Sequence, residues 1–164
     1  MREQLTALRE AMKENGIGAW IVPTTDFHGS EYVNDHFKCR EYLSGFTGSA
    51  GTLAVTQDAA ALWTDGRYFL QAEAQLAGSG IMLMREGTTG VPTLIEWLQS
   101  HLLQAAAAGQ NGPSGGAAAA GQGETELAAR TVGFDGRIVD LKLGRELAER
   151  FPLRWNLDLS GLVW

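Results

Sequence analysis

Thr52-Leu53-Ala54-Val55-Thr56-Gln57-Asp58-Ala59-Ala60-Ala61-Leu62-Trp63-Thr64-Asp65-Gly66-Arg67-Tyr68-Phe69 holds two apolar runs, the turn between them and the start of a helix. Thr52–Thr56 and Ala60–Thr64 flank the turn residues Gln57-Asp58-Ala59. That pattern predicts a β-hairpin, although the connection lacks the favoured Asn-Gly pair. Asp65 stands where a helix cap belongs, before Tyr68, Phe69, Ala72 and Leu76, and Gly78 closes the segment. An antiparallel hairpin that runs straight into a helix decides the fold class, because it rules out a purely parallel sheet.

Upstream, Leu5, Leu8, Ala11 and Met12 recur at helical spacing, and Asn15-Gly16 supplies the left-handed residue that ends such a helix. Gly18-Ala19-Trp20-Ile21-Val22-Pro23 is a short apolar run closed by proline, the pattern of a strand buried on both faces. Residues 24–40 are polar and without period, which predicts mostly loop. Gly45, Gly48 and Gly51 then favour a turn or a close approach of backbone over a regular element. Downstream, Ile81–Met84 reads as a strand. Pro92 opens a helix with Leu94, Ile95, Leu98 and Leu102 as its buried stripe. Thr131–Phe134 is another strand, Leu141, Leu143, Leu147 and Ala148 mark a helix, and Leu153–Trp155 is a last short strand. The expectation is an α/β domain, a mixed β-sheet flanked by helices.

The chain has 164 residues, about the usual size of one domain and enough to bury a core without staples. Its single cysteine, Cys39, excludes an internal disulfide. Nineteen acids against thirteen bases give a formal charge of -6, which argues against nucleic acid and anionic membrane as partners. No apolar run approaches the roughly 18 residues of a membrane span, and the start lacks the apolar core of a signal peptide. A cytoplasmic protein is expected. Fourteen of the nineteen residues of segment 105–123 are Ala or Gly. With no large apolar side chain to bury, it is expected to be a disordered surface insertion. The terminal Leu159-Ser160-Gly161-Leu162-Val163-Trp164 is apolar where domain ends are usually polar, which suggests a chain that continues beyond Trp164.

Three groups of residues invite a chemical reading. Asp26, His28, Glu31, Asp35, His36 and Cys39 are metal-ligand types, but their spacing fits no helical His pair and no Cys knuckle, so a polar loop is the expectation and no metal is assigned. Ser44-Gly45-Phe46-Thr47-Gly48-Ser49-Ala50-Gly51 lacks the Lys of a phosphate loop. It also lacks the glycine two residues before Ser49 that a nucleophile elbow needs. Anion binding by successive N–H groups and close packing of backbone both stay open, with packing expected. Arg67 is the third. Positive charge is disfavoured at a helix N-terminus. Arg67 therefore either pairs with Asp65 or a nearby acid, or points outward to meet a carboxylate or carbonyl with its planar fork of donors. His101 reads as a surface histidine. No nucleophile with a base, and no paired acid and base, is present.

Trp20-Ile21-Val22-Pro23, Asp26, His28, Ser30-Glu31-Tyr32, Arg40, Ser44–Thr52 and Trp63-Thr64-Asp65-Gly66-Arg67-Tyr68-Phe69-Leu70-Gln71-Ala72 together resemble the N-terminal domain of aminopeptidase P. This is the Xaa-Pro aminopeptidase of the creatinase and prolidase group, and the likeness is to its longer, three-domain form. It is close over about residues 1–103 and looser from Val132 to Trp164. The Ala/Gly insertion lies outside the usual pattern.

The resemblance implies an enzyme that releases the N-terminal residue of peptides with proline second. Catalysis would fall to a separate pita-bread domain holding two manganese ions, whose bridging hydroxide is the nucleophile. None of those ligands maps onto these residues, so the chain by itself is expected to be a non-catalytic N-terminal domain. Arg67 matches the arginine that reaches toward the substrate in similar enzymes, which makes it the expected substrate-binding residue. No role attaches to Asp26 or His28. A homodimer is implied for the full-length enzyme. The competing reading is a peptide- or protein-binding module of a catalytically inactive homologue, and creatinase or prolidase itself is a third.

Overall fold

A computed structural model describes residues 2–25, 33, 35–109 and 119–164. Among the described residues six strands form one sheet: β1 (Ala19–Pro23), β2 (Thr52–Thr56), β3 (Ala60–Thr64), β4 (Met82–Arg85), β5 (Val132–Phe134) and β6 (Leu153–Arg154). Their order is β4-β3-β2-β1-β5-β6. The hairpin pairs Leu53 with Leu62 and Val55 with Ala60. Only β2 runs against its neighbours. β1 and β5, β5 and β6, and β3 and β4 are parallel, so the sheet is mixed as the hairpin requires.

Helices cover both faces: α1 (Glu3–Glu14), α2 (Cys39–Ser44), α3 (Phe69–Leu76), α4 (Leu94–Gly109), α5 (Ala119–Arg130), α6 (Leu141–Ala148) and α7 (Leu159–Leu162). Alternate side chains of a strand point to opposite faces. Trp20, Val22, Leu53, Val55 and Leu62 pack on one face with Leu5, Leu8 and Met12 of α1, Leu43 of α2 and Leu76 of α3. Ala19, Ile21, Ala54, Ala61 and Trp63 pack on the other with Trp97, Leu98 and Leu102 of α4 and Leu147 of α6. Burial on both sides explains why the central strands are unbroken apolar runs rather than alternating ones.

Several expectations need correction. Residues 39–44 form a helix, inside a region expected to be loop and turn. Gly45, at φ 73°, ends that helix in the left-handed conformation that glycine adopts without strain. Asp65 does cap a turn, but a 3-10 turn, Gly66–Tyr68, precedes α3. Thr93 rather than Pro92 caps α4: its N–H donates to Glu96 Oε2 at 2.8 Å, and the Glu96 N–H donates to Thr93 Oγ1 at 3.2 Å, a capping box. The buried stripe of α4 is rotated to include Trp97, while Leu94 and Ile95 are only partly covered. Leu141, expected in a buried stripe, is 68% exposed at the first position of α6. The ends of the Ala/Gly segment, 105–109 and 119–123, belong to α4 and α5, because alanine is the strongest helix former and needs no buried face to adopt the conformation. Residues 110–118 lie outside the described residues.

Candidate functional site

The site is built where β3 ends. Thr64 Oγ1 donates to the Ala50 carbonyl at 2.6 Å, which fastens the end of β3 to the loop before β2. Asp65 Oδ1 then accepts from the Arg67 N–H at 3.0 Å. The same carboxylate takes the side chain of Arg67, Nε to Oδ1 at 3.0 Å and Nη2 to Oδ2 at 2.9 Å. The bond from the guanidinium and then the bond from the backbone N–H hold Asp65 below the usual carboxylate range. This is the first of the two readings of Arg67, the pair with Asp65. The second is still compatible with the geometry, because 65% of the Arg67 side chain is accessible.

Tyr68 lies beneath Arg67, whose guanidinium carbon is 5.2 Å from the ring centroid. The Tyr68 hydroxyl and Ser49 Oγ share a hydrogen bond of 2.6 Å. Phe46 meets Tyr68 edge to face, with centroids 6.0 Å apart at 81°. Gly48 makes this possible. A Cβ there would run into the Phe46 ring and come within 2.9 Å of Tyr68 Cδ1. Gly51 is confined as well, since a Cβ there would lie 2.9 Å from the Trp63 carbonyl oxygen. The glycine spacing therefore serves close backbone packing, the expected reading of that run.

Arg40 holds this loop from inside. Its side chain is buried, its Nη1 donates to the Phe46 carbonyl at 2.9 Å and its Nη2 to the Gly48 carbonyl at 2.5 Å. Burial lowers its pKa to about 10, still far above neutral pH, so it carries its charge. Beyond the loop, Thr47 is gripped from α3. Its N–H donates to Gln75 Oε1 at 2.9 Å, and its Oγ1 accepts from Gln71 and Gln75, each at 2.9 Å. Sequence reasoning missed Gln71, Gln75 and the Ser49–Tyr68 bond, since no spacing rule joins residues on a loop to a helix 19 to 28 residues on. A cleft of about 210 Å³ opens beside the loop, lined among the described residues by Thr24, Phe37, Arg40, Thr47 and Ser49.

Of the metal-ligand types, Asp26, His28, Glu31 and the side chain of His36 lie outside the described residues. Asp35 bonds Lys38 at 2.5 Å, and Cys39 is buried. Among the described residues no three His, Cys, Asp or Glu side chains gather as a metal would require. Nor is any described helix long and apolar enough to cross a membrane.

A mixed six-stranded sheet between two helical layers, with an Asp-Gly-Arg turn at the end of its hairpin, defines the class. The pattern of the Creatinase/Prolidase N-terminal domain matches residues 4–164, and the chain belongs to that family. It is 55% identical over 102 residues to Aminopeptidase P2 of Arabidopsis thaliana, covering 61% of this chain and 14% of the relative. It is 41% identical over 155 residues to a probable Xaa-Pro aminopeptidase P of Fusarium vanettenii, covering 90% of this chain and 24% of the relative. Among solved structures it resembles the X-prolyl aminopeptidase of Caenorhabditis elegans, described as a cytosolic enzyme with a di-nuclear active site. That match has a TM-score of 0.72 and 28% identity, over 99% of this chain and 25% of the other. The chain thus spans about a seventh to a quarter of the length of these relatives.

Proposed function

We propose that this chain is the substrate-orienting first domain of a manganese-dependent Xaa-Pro aminopeptidase that works in the cytoplasm as a homodimer. The observation that carries the reading is the match over residues 4–164 to one domain family, joined to relatives named Xaa-Pro aminopeptidase. Residues 1–164 make up one domain in this reading, with 105–123 as an insertion in its sequence. The described residues do not fit a pair of metal ions. This reading assigns metal-assisted hydrolysis to the part of such enzymes that this chain does not span, and to this domain the task of holding the peptide.

Arg67 is the group proposed to do so. Asp65 engages one edge of its guanidinium and Tyr68 lies under its face, so the side chain is presented with a set plane. A planar fork in that state suits a peptide carboxylate or carbonyl better than a lysine would. The test is peptide hydrolysis by the product of the full reading frame supplied with manganese. Release of the first residue from an Xaa-Pro peptide, abolished by a chelator, is expected. Arg67→Ala should lower kcat/KM about 10- to 150-fold, the worth of one charge-assisted hydrogen bond. Arg67→Lys should recover little. A folded, metal-supplied enzyme without turnover would replace this reading with a binding module. An Arg67→Ala enzyme with unchanged kcat/KM would remove Arg67 from it.

A further inference from the structure

The Asp65–Arg67 pair is exposed on both partners, at 37% and 65%. Exposed pairs of this kind hold a long side chain only weakly, because solvent screens the attraction and the rotamers compete. A neighbour that is itself firmly held can add to that pair in fixing where the Arg67 fork points. Tyr68 is the candidate. Its ring lies 5.2 Å from the Arg67 guanidinium carbon and is itself anchored on two further sides. Ser49 takes its hydroxyl at 2.6 Å, and Phe46 packs edge-on against its ring. The loop that carries both anchors is itself tied to buried Arg40 through the Phe46 and Gly48 carbonyls. A continuous run of contacts therefore leads from the core to an exposed arginine.

We propose that Tyr68 is a positioning residue, locked by Ser49 and Phe46, that sets the direction of Arg67. The assignment gives Ser49 a use that is neither nucleophile nor phosphate ligand. It also accounts for glycine at 48, where a side chain would part Phe46 from Tyr68. It rests on the reading of Arg67 as the residue that orients the peptide.

A double-mutant cycle in the full-length enzyme tests it, with kcat/KM for an Xaa-Pro peptide as the readout. Tyr68→Leu is expected to lower kcat/KM about 2- to 5-fold, the weight of an exposed cation–π contact, and to have no effect in the Arg67→Ala background. Ser49→Ala, which keeps the ring and loosens it, should give a smaller loss with the same dependence on Arg67. Tyr68→Phe should match Ser49→Ala. Equal losses from Tyr68→Leu with and without Arg67 would overturn the proposal. Should Tyr68→Leu fail to fold, the Ser49→Ala pair decides by the same comparison.

A second readout keeps the two readings apart. In the 164-residue chain, the Arg67 Nε–H proton resonance should be shifted upfield by the Tyr68 ring, and Tyr68→Leu should abolish that shift. If Arg67→Ala leaves an active enzyme unaltered, the peptide reading falls, and this resonance alone judges the positioning. A resonance that Tyr68→Leu does not move overturns it.

Discussion

The indole Nε1 of Trp20 donates to Ser160 Oγ at 2.8 Å, joining the innermost parallel strand to a residue 140 positions further along. Both side chains are buried, at 0% and 2% exposure. The bond is part of a clasp on the last residues. Leu159 is buried beside it, the Tyr42 hydroxyl donates to the Val163 carbonyl at 2.9 Å, and the Tyr42 ring stacks on Trp164 at 5.8 Å. Ser160→Ala would leave the indole N–H buried without an acceptor. The expected cost is about 1–3 kcal/mol, seen as a lower urea midpoint at unchanged m. A midpoint that does not move would mean that another group takes the indole.

Two glycine substitutions should change stability in opposite directions. Gly48→Ala puts a methyl group against the Phe46 ring and within 2.9 Å of Tyr68, in a loop whose carbonyls are fixed by Arg40. Overpacking of this kind costs about 1–3 kcal/mol. Gly144→Ala lies inside α6, where among the described residues a Cβ would meet only Val139 Cγ1 at 4.0 Å and the backbone is helical. Removing the entropy cost of glycine from a helix should raise stability by about 0.5–1 kcal/mol. Thermal melts of the two variants check the signs, and a stabilised Gly48→Ala chain would show that the loop is looser than its contacts imply.

These positions also show what the sequence made readable. The central strands could be located because burial on both faces left unbroken apolar runs, and the hairpin because three polar or small residues interrupt two of them. Residues 39–44 hid their helix. Two of the four residues that helix buries, Arg40 and Ser44, are polar, so no apolar stripe marks it. Trp97 stands three residues after Leu94 and so on the same face of α4, where it packs with Leu98 and Leu102 and meets Trp63 at 5.6 Å. At the candidate site, the pairing of Arg67 with Asp65 was readable, as one of two alternatives, from its unusual place at a helix start. Its supports were not. Ser49 and Tyr68 are 19 residues apart, and only the folded loop brings them together.

Cys39 should be chemically silent in the native chain. Burial, then the nearby Asp158 and Asp135, raise its thiol from 9.0 to about 11. A thiol reagent at pH 8 should leave it unmodified until denaturant is added. The same shift has a sign in stability. Above pH 9 the unfolded chain loses the proton that the folded chain keeps, so stability falls with rising pH until the folded thiol titrates near 11. Comparing the native chain with Cys39→Ala isolates that slope, since all other groups titrate in both. An equal pH dependence in the two would mean that the thiol is less enclosed than it is in this structure.

Arg40 poses an energetic question that only substitution answers. Burying its charge is unfavourable, which is why its pKa falls to about 10, yet two of its donors bond the Phe46 and Gly48 carbonyls. Its guanidinium also lies 4.8 Å from the Phe46 ring centroid. Arg40→Met removes the desolvation cost together with both hydrogen bonds. Each bond to a charged donor is worth about 1.5–3 kcal/mol, so the pair should outweigh the relief and leave a net loss of about 1–3 kcal/mol. Arg40→Lys should fare no better. A single ammonium on a flexible stem cannot reproduce the fixed fork that spans the Phe46 and Gly48 carbonyls. Denaturant titration gives the two losses. A Met variant as stable as the native chain would mean that the buried charge is retained for the geometry of the loop under Tyr68 and not for stability. The kinetics of the same variant in the full-length enzyme would then show a loss without any change in folding.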